Sequence, residues 1–191
     1  MKLFKLLGFA LGGLIFAGAA SAQATAPVPT EVKVVGDWHL RCYQVSTPMP
    51  CSMQEILSQK GSDQAVLIIT IAYNTQRKAS VAQIGVPLGV SLANGLVILA
   101  DDYTSPMLHF HRCSRNFCFV EALLPDEIVS ALSHSTSGKI RITMDSDSKS
   151  YNVPFSLKGF SEAHDALIQI SGQKGGKAAA APAHADQSAP Q

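Results

Sequence analysis

The sequence predicts a mainly β fold: a single-domain antiparallel sandwich or barrel-like sheet with two short helices, held by two disulfides. Three observations point there. Apolar and polar residues alternate with a period of two through most of residues 31–172. The four cysteines, Cys42, Cys51, Cys113 and Cys118, are an even set placed around short turn-forming segments. Only two stretches, opened by Pro125 and by Ser161, carry helix-start chemistry.

The first 22 residues precede that fold. Met1, Lys2 and Lys5 give a basic start, residues 6–20 are uncharged and apolar, and Ala20-Ser21-Ala22 places small residues where a signal peptidase reads. This is the layout of a cleaved secretory signal, with the mature chain starting near Gln23. The apolar run is shorter than the ~20 residues of a spanning helix, and Gly8, Gly12, Gly13 and Gly18 interrupt it. Gln23, not a cysteine, follows the small residues, which argues against a lipid anchor. The expected location is the periplasm, or a secreted form at the cell envelope. Residues 23–30 are a proline-bearing, disordered leader. Residues 173–191, rich in Gly, Ala and Pro without one aromatic or β-branched residue, are a disordered tail.

Within residues 31–172, residues 32–35 and 38–43 read as a strand region broken by Gly36-Asp37. Residues 51–57 are a second strand and 65–73 a third, apolar enough to be central. A polar turn at 76–80 leads to a short strand at 81–86 that Pro87 ends or edges. Residues 90–92 and 96–100 flank Asn94-Gly95, a favoured two-residue hairpin turn. Residues 108–113 and 117–123 form the hairpin that carries Cys113 and Cys118. Pro125 opens a helix with Asp126 and Glu127 in its first turn and Ile128, Val129 and Leu132 behind them. Residues 139–144 alternate Ile140 and Ile142 with Arg141 and Thr143, turn at 145–148, and return as 151–157. The second helix, capped by Ser161, sets Ala163, Ala166, Leu167 and Ile170 on one stripe beside Phe160.

Size and charge exclude several functions. Removing 22 of 191 residues leaves 169, enough for one domain. Net charge is +1 for the whole chain and −1 once Lys2 and Lys5 have left. No basic surplus remains for nucleic acid or for anionic lipid. No second apolar run reaches spanning length, so no integral membrane span is expected after signal cleavage. Outside the cytoplasm the cysteines are expected to be oxidised. Four allow three pairings. Spacing favours the local pairs, 42 with 51 around Pro48 and Pro50, and 113 with 118 around residues 114–116.

The sharpest candidate for chemistry is His109-x-His111-x-Cys113. On a strand these alternate residues share a face, with Met107 just before them, and such a set suits copper or zinc. The competing reading is a wet strand face with two exposed histidines, favoured if Cys113 is oxidised and no longer a thiolate. Cysteine separations of nine and five do not match a redox Cys-x-x-Cys. There is no Gly-x-Ser-x-Gly elbow, no phosphate-cradling glycine loop and no His-Glu-x-x-His. Asp101 and Asp102 are adjacent, so their carboxylates point apart. No cofactor and no catalytic residue is expected, and nothing requires an enzyme. Trp38, the one tryptophan, reads as core, packed over a disulfide. Gly36-Asp37 reads as a bulge or turn in which Asp37 satisfies backbone N–H groups. Gly89 and Gly95 suit positive φ or close approach, and Phe160 reads as the plug between helix and sheet.

These residues, taken in order, carry a resemblance. Gly36-Asp37-Trp38 with Cys42 comes first, then Pro87-Leu88-Gly89-Val90 with Leu92 and Gly95. Phe110-x-x-Cys113 with Cys118 follows, and last Ser156-Leu157-x-Gly159-Phe160 with Ala163 and Leu167. Over roughly residues 34–170 the chain resembles the invasion-associated locus B family of bacterial exported proteins. It departs in having Phe117 where many members have glycine. The resemblance implies a small envelope or secreted protein of alphaproteobacterial type, linked in some pathogens to virulence and to host-cell invasion, notably of red cells. It implies action by binding a protein partner in the cell envelope or on a host cell, and it supplies no catalytic residues. The alternatives are a periplasmic metal-binding protein using His109 and His111, and an unrecognised envelope enzyme.

Overall fold

The computed structural model describes residues 28–178; the predicted signal segment, most of the leader and the tail beyond 178 lie outside the described residues. Eleven strands and two helices are described. The strands are β1 (Glu31–Val35), β2 (Trp38–Cys42), β3 (Cys51–Ser58), β4 (Ala65–Asn74), β5 (Ala79–Pro87), β6 (Leu96–Ala100), β7 (Tyr103–Thr104), β8 (Phe110–Cys113), β9 (Phe117–Leu124), β10 (Gly138–Thr143) and β11 (Ser150–Phe155). The helices are α1 (Asp126–His134), between β9 and β10, and α2 (Phe160–Ala178). They form two antiparallel sheets, one seven-stranded in the order β1-β2-β3-β4-β5-β9-β8 and one four-stranded in the order β11-β10-β6-β7. Each has two edges, so neither closes into a barrel.

Period-two alternation sets the faces. The seven-stranded sheet turns Trp38, Leu40, Met53, Leu67, Ile69, Ile71, Ile84 and Val120 into one buried cluster. The four-stranded sheet brings Leu96, Ile98, Ile140 and Phe155 to the same cluster. α2 packs on β2, β3 and β4 through Phe160, Ala163 and Leu167, and α1 packs on α2 through its buried Ile128 and Leu132. Both sheets and both helices meet around an apolar void of about 10 Å³. That is at the lower limit for a single water molecule.

Several elements differ from the sequence expectation. Asn94-Gly95 does not close a hairpin. Val90 bridges Met144, and β6 pairs with β10 instead of folding back on residues 90–92. Asn94 makes a local turn, its N–H reaching the Ser91 carbonyl at 3.3 Å and its side chain the Ser91 hydroxyl at 3.0 Å. Three residues at 90–92 offer too few ladder bonds to compete with a six-residue partner. β7 is only two residues long and gives no periodic signal. α2 begins at Phe160, with the Gly159 carbonyl accepting the Ala163 N–H at 2.9 Å, so Ser161 lies inside the helix and does not cap it. The helix also runs past residue 172, and Lys174 pairs with Glu31 at 3.1 Å. Gly89 and Gly95 both have positive φ.

Two disulfides join directly opposed residues of neighbouring strands, Cys42–Cys51 between β2 and β3 and Cys113–Cys118 between β8 and β9. The first is buried at both ends, whereas Cys113 is exposed. Each loop closure contributes about 2–3 kcal/mol by the chain-entropy relation. C42A/C51A is expected to cost more than C113A/C118A, because it also empties core volume. Urea unfolding of the two double variants checks this, and equal losses would contradict it.

Candidate functional site

Two motif segments far apart in sequence meet in space. Gly36 and Asp37 form the two-residue turn between β1 and β2, and residues 156–159 link β11 to α2. Gly36 has φ +59°, and a Cβ there would overlap the Lys158 carbonyl. Gly159 has φ +77°, and a Cβ there would stand 2.7 Å from the Val35 carbonyl oxygen. Only glycines permit so close an approach of two backbones. The Asp37 N–H donates to the Lys158 carbonyl at 3.1 Å, and Trp38 Nε1 donates to the Ser156 carbonyl at 3.2 Å. Asp37 does not use its carboxylate on backbone N–H groups, as the sequence suggested; Oδ2 accepts the Ser156 hydroxyl at 2.7 Å. Trp38 is fully buried, and its aromatic neighbour is Phe160, edge-on at 5.3 Å.

Glu55 completes the junction, and no sequence signal marked it. It lies on the core-facing side of β3, 8% exposed, where alternation places an apolar residue. Its two carboxylate oxygens accept the Ser156 N–H at 3.0 and 3.2 Å. Burial pushes its pKa up to about 7, the Ser156 N–H partly offsets this, and the Asp37 charge adds to the rise. A carboxyl whose pKa is raised on folding favours the fold while it is neutral. That contribution is complete below pH 4.5 and is lost as pH rises to about 7. E55Q, which keeps an acceptor for Ser156, is expected to remove this loss and to gain at most about 3 kcal/mol at pH 8. Thermal unfolding at pH 5 and pH 8 tests it; an unchanged pH slope in the variant would refute the assignment.

A second buried polar contact also escaped the sequence. Ser80 Oγ and His164 Nε2 lie 2.8 Å apart, both side chains are buried, and the imidazole stacks on Phe160 at 6.0 Å. Burial holds the His164 pKa below its ordinary value, with Asp165 and Asp126 opposing. The pair has the composition of a nucleophile and its base, but neither residue lines the core void or the four surface grooves around Thr30, Arg115, Pro154 and Asp101. The contact ties β5 to α2.

The histidine pair lies elsewhere. The register of β8 on β9 shifts between Phe110 and Arg112, so one extra residue, His111, is accommodated there. The bulge breaks the alternation on which a shared face for His109, His111 and Cys113 depended. Cys113 is disulfide-bonded, and both histidines are exposed. Among the described residues no group of three His, Cys, Asp or Glu could hold a metal ion. After dialysis the protein is therefore expected to retain no stoichiometric copper or zinc by elemental analysis. One tightly held equivalent that disappears in H109A/H111A would reverse this reading.

What the fold leaves open is the outer face of the seven-stranded sheet. A polar ladder crosses it: Arg41 Nη1 to Gln54 Oε1 at 3.1 Å, Gln54 Nε2 to Thr70 Oγ1 at 2.9 Å, and Gln83 Nε2 to Glu121 Oε1 at 3.0 Å. Arg112 ends the row, 3.4 Å from Glu121 and stacked 4.4 Å over the Phe119 ring. Exposed Ile56 and Leu123 lie beside this ladder, and exposed Val32 and Val34 lie on β1 at its margin. Several open grooves lie on the surface. One of about 550 Å³ lies between Thr30, residues 43–46 and Lys174.

The family model for invasion associated locus B (IalB) protein matches residues 38–168. Two invasion protein B homologs, from Brucella abortus strain 2308 and Brucella abortus biovar 1 strain 9-941, are each 25% identical over 173 residues, covering 90% of this chain and 99% of theirs. The crystal structure of invasion associated protein B from Bartonella henselae superposes with a TM-score of 0.66 at 19% identity, over 74% of this chain and 98% of that one, and so shares the fold. The match begins at Trp38 in the first motif and ends just past Leu167 on α2, enclosing both disulfides, and the chain belongs to the invasion associated locus B family.

Proposed function

We propose that this chain is an exported envelope protein that acts by binding another protein, and that in a pathogen it supports association with the host cell. The observation that carries the reading is the contrast between interior and surface. Among the buried polar side chains, the titratable Glu55 and His164 are both hydrogen-bonded within the fold, and Ser171 Oγ has no partner among the described residues. The seven-stranded sheet meanwhile presents a broad outer face with exposed Val32, Val34, Ile56 and Leu123. A rigid sheet with a polar ladder and scattered apolar residues suits protein recognition. The names of its relatives, invasion proteins, support the same direction. Two disulfides are consistent with work outside the cytoplasm, and none of the described helices is long and apolar enough to cross a membrane.

Crosslinking in intact cells of the native host, followed by capture of the protein, is expected to yield a specific partner. That partner should persist in H109A/H111A and in S80A. Recovery of the uncrosslinked protein alone, across envelope and secreted fractions, would reject binding as its role.

A further inference from the structure

The two sheets have four edge strands, β1, β8, β11 and β7. Three are blunted by backbone devices that keep sheet edges from pairing with other chains, and β1 carries only edge charges, Glu31 and Lys33. β8 carries the bulge between Phe110 and Arg112, β11 contains Pro154, and β7 is two residues long. β1 has five residues in continuous register with β2, without a proline or a register shift.

The turn determines which of its backbone groups are free. Val35 and Trp38 flank the two-residue turn and are therefore a hydrogen-bonded pair, and alternation makes Lys33–Leu40 and Glu31–Cys42 hydrogen-bonded pairs as well. The N–H and C=O groups of Val32 and Val34 then point away from β2, along an edge that no strand covers among the described residues. Their side chains are 56% and 57% exposed. Between them Lys33, exposed, has no ion-pair partner among the described residues, while Glu31 is already paired with Lys174.

We infer that β1 is a strand-addition site for an extended segment of another protein that places an acidic residue opposite Lys33 and apolar residues opposite Val32 and Val34. The inference rests on the binding role proposed above and names where and how the contact forms. Lys33 selects the occupant. A second copy pairing antiparallel through all four free groups must oppose Val32 to Val34, which sets Lys33 against Lys33 of that copy. Like charges directly opposite each other on neighbouring strands are unfavourable, and opposite charges are favourable. An added strand would also extend the seven-stranded sheet without disturbing a bond the fold already makes.

The test uses the intact protein and two synthetic peptides, Thr-Val-Thr-Val-Glu-Val-Thr-Val and the same peptide with Lys in place of Glu. The acidic peptide is expected to bind about tenfold more tightly at low salt, with hydrogen-exchange protection appearing at the Val32 and Val34 amides. K33E should reverse the preference. V34P removes one outward N–H without touching the β1–β2 ladder and should abolish binding, with an unfolding midpoint near that of the wild type as the control for folding. Equal binding of both peptides, protection elsewhere, or no binding at all would overturn the inference. So would a concentration-dependent dimer that V34P abolishes, because the occupant would then be a second copy. If V34P and K33E still crosslink the cellular partner as the wild type does, the edge assignment falls and the binding role stands. If the wild type itself crosslinks nothing, the binding role falls.

Discussion

Ser156 is the point on which the two halves of the fold depend. Its N–H enters the Glu55 carboxylate, its hydroxyl enters the Asp37 carboxylate, and its carbonyl takes the Trp38 indole N–H. One residue thereby ties β3, the β1–β2 turn and β2 to the end of β11, just before the chain enters α2. Remove that anchoring and α2 loses its starting position. Phe160, the first residue of the helix, would then no longer meet Trp38 edge-on. The two glycines make the approach possible: at Gly36 or Gly159 the Cβ of any side chain would overlap the facing backbone.

The disulfides act at other places. Cys42–Cys51 joins the second and third strands beneath α2, and Cys113–Cys118 closes the hairpin at the far edge of the same sheet. Both lie in the seven-stranded sheet, and the four-stranded sheet has none. Crosslinks therefore stiffen the layer whose outer face is open, while the smaller sheet is held by packing of Ile98, Ile140 and Phe155. A binding surface gains from this asymmetry, because a sheet that is already rigid loses little conformational entropy when a partner docks.

The parts of this architecture legible in the sequence are those governed by local rules. Alternation located the long strands, and helix-start chemistry located α1 and the beginning of α2 to within a residue. Local cysteine spacing favoured the pairs that form. Contacts between distant segments were not legible. Asn94-Gly95 has hairpin chemistry, yet β10 outcompetes residues 90–92 for β6, a choice no window of ten residues contains. His109, His111 and Cys113 have the spacing of one strand face, and a single extra residue at the bulge undoes it. Glu55 was hidden because a charged residue on a strand normally signals the solvent side. Gly36-Asp37-Trp38 and Ser156 through Phe160 were visible as separate motifs, and only the fold shows them to be two halves of one contact.

Glu55, tied to Trp38 through Ser156, and His164, stacked on Phe160, pull the pH dependence of the fold in opposite directions. Glu55, with its raised pKa, weakens the fold as pH climbs from 4.5 towards 7. His164, with its lowered pKa, contributes stability that is complete above pH 6.5 and is lost as acid drives the buried imidazole to protonate. Both groups are neutral together only below about pH 7 and above the lowered His164 pKa. The interior therefore favours the absence of charge, and Glu55 and His164 are each held by a hydrogen bond within the fold. Recognition is left to the outside of the sheet, where Arg41, Arg112 and Glu121 stand in the polar ladder, and to its β1 edge, where Lys33 has no ion-pair partner among the described residues.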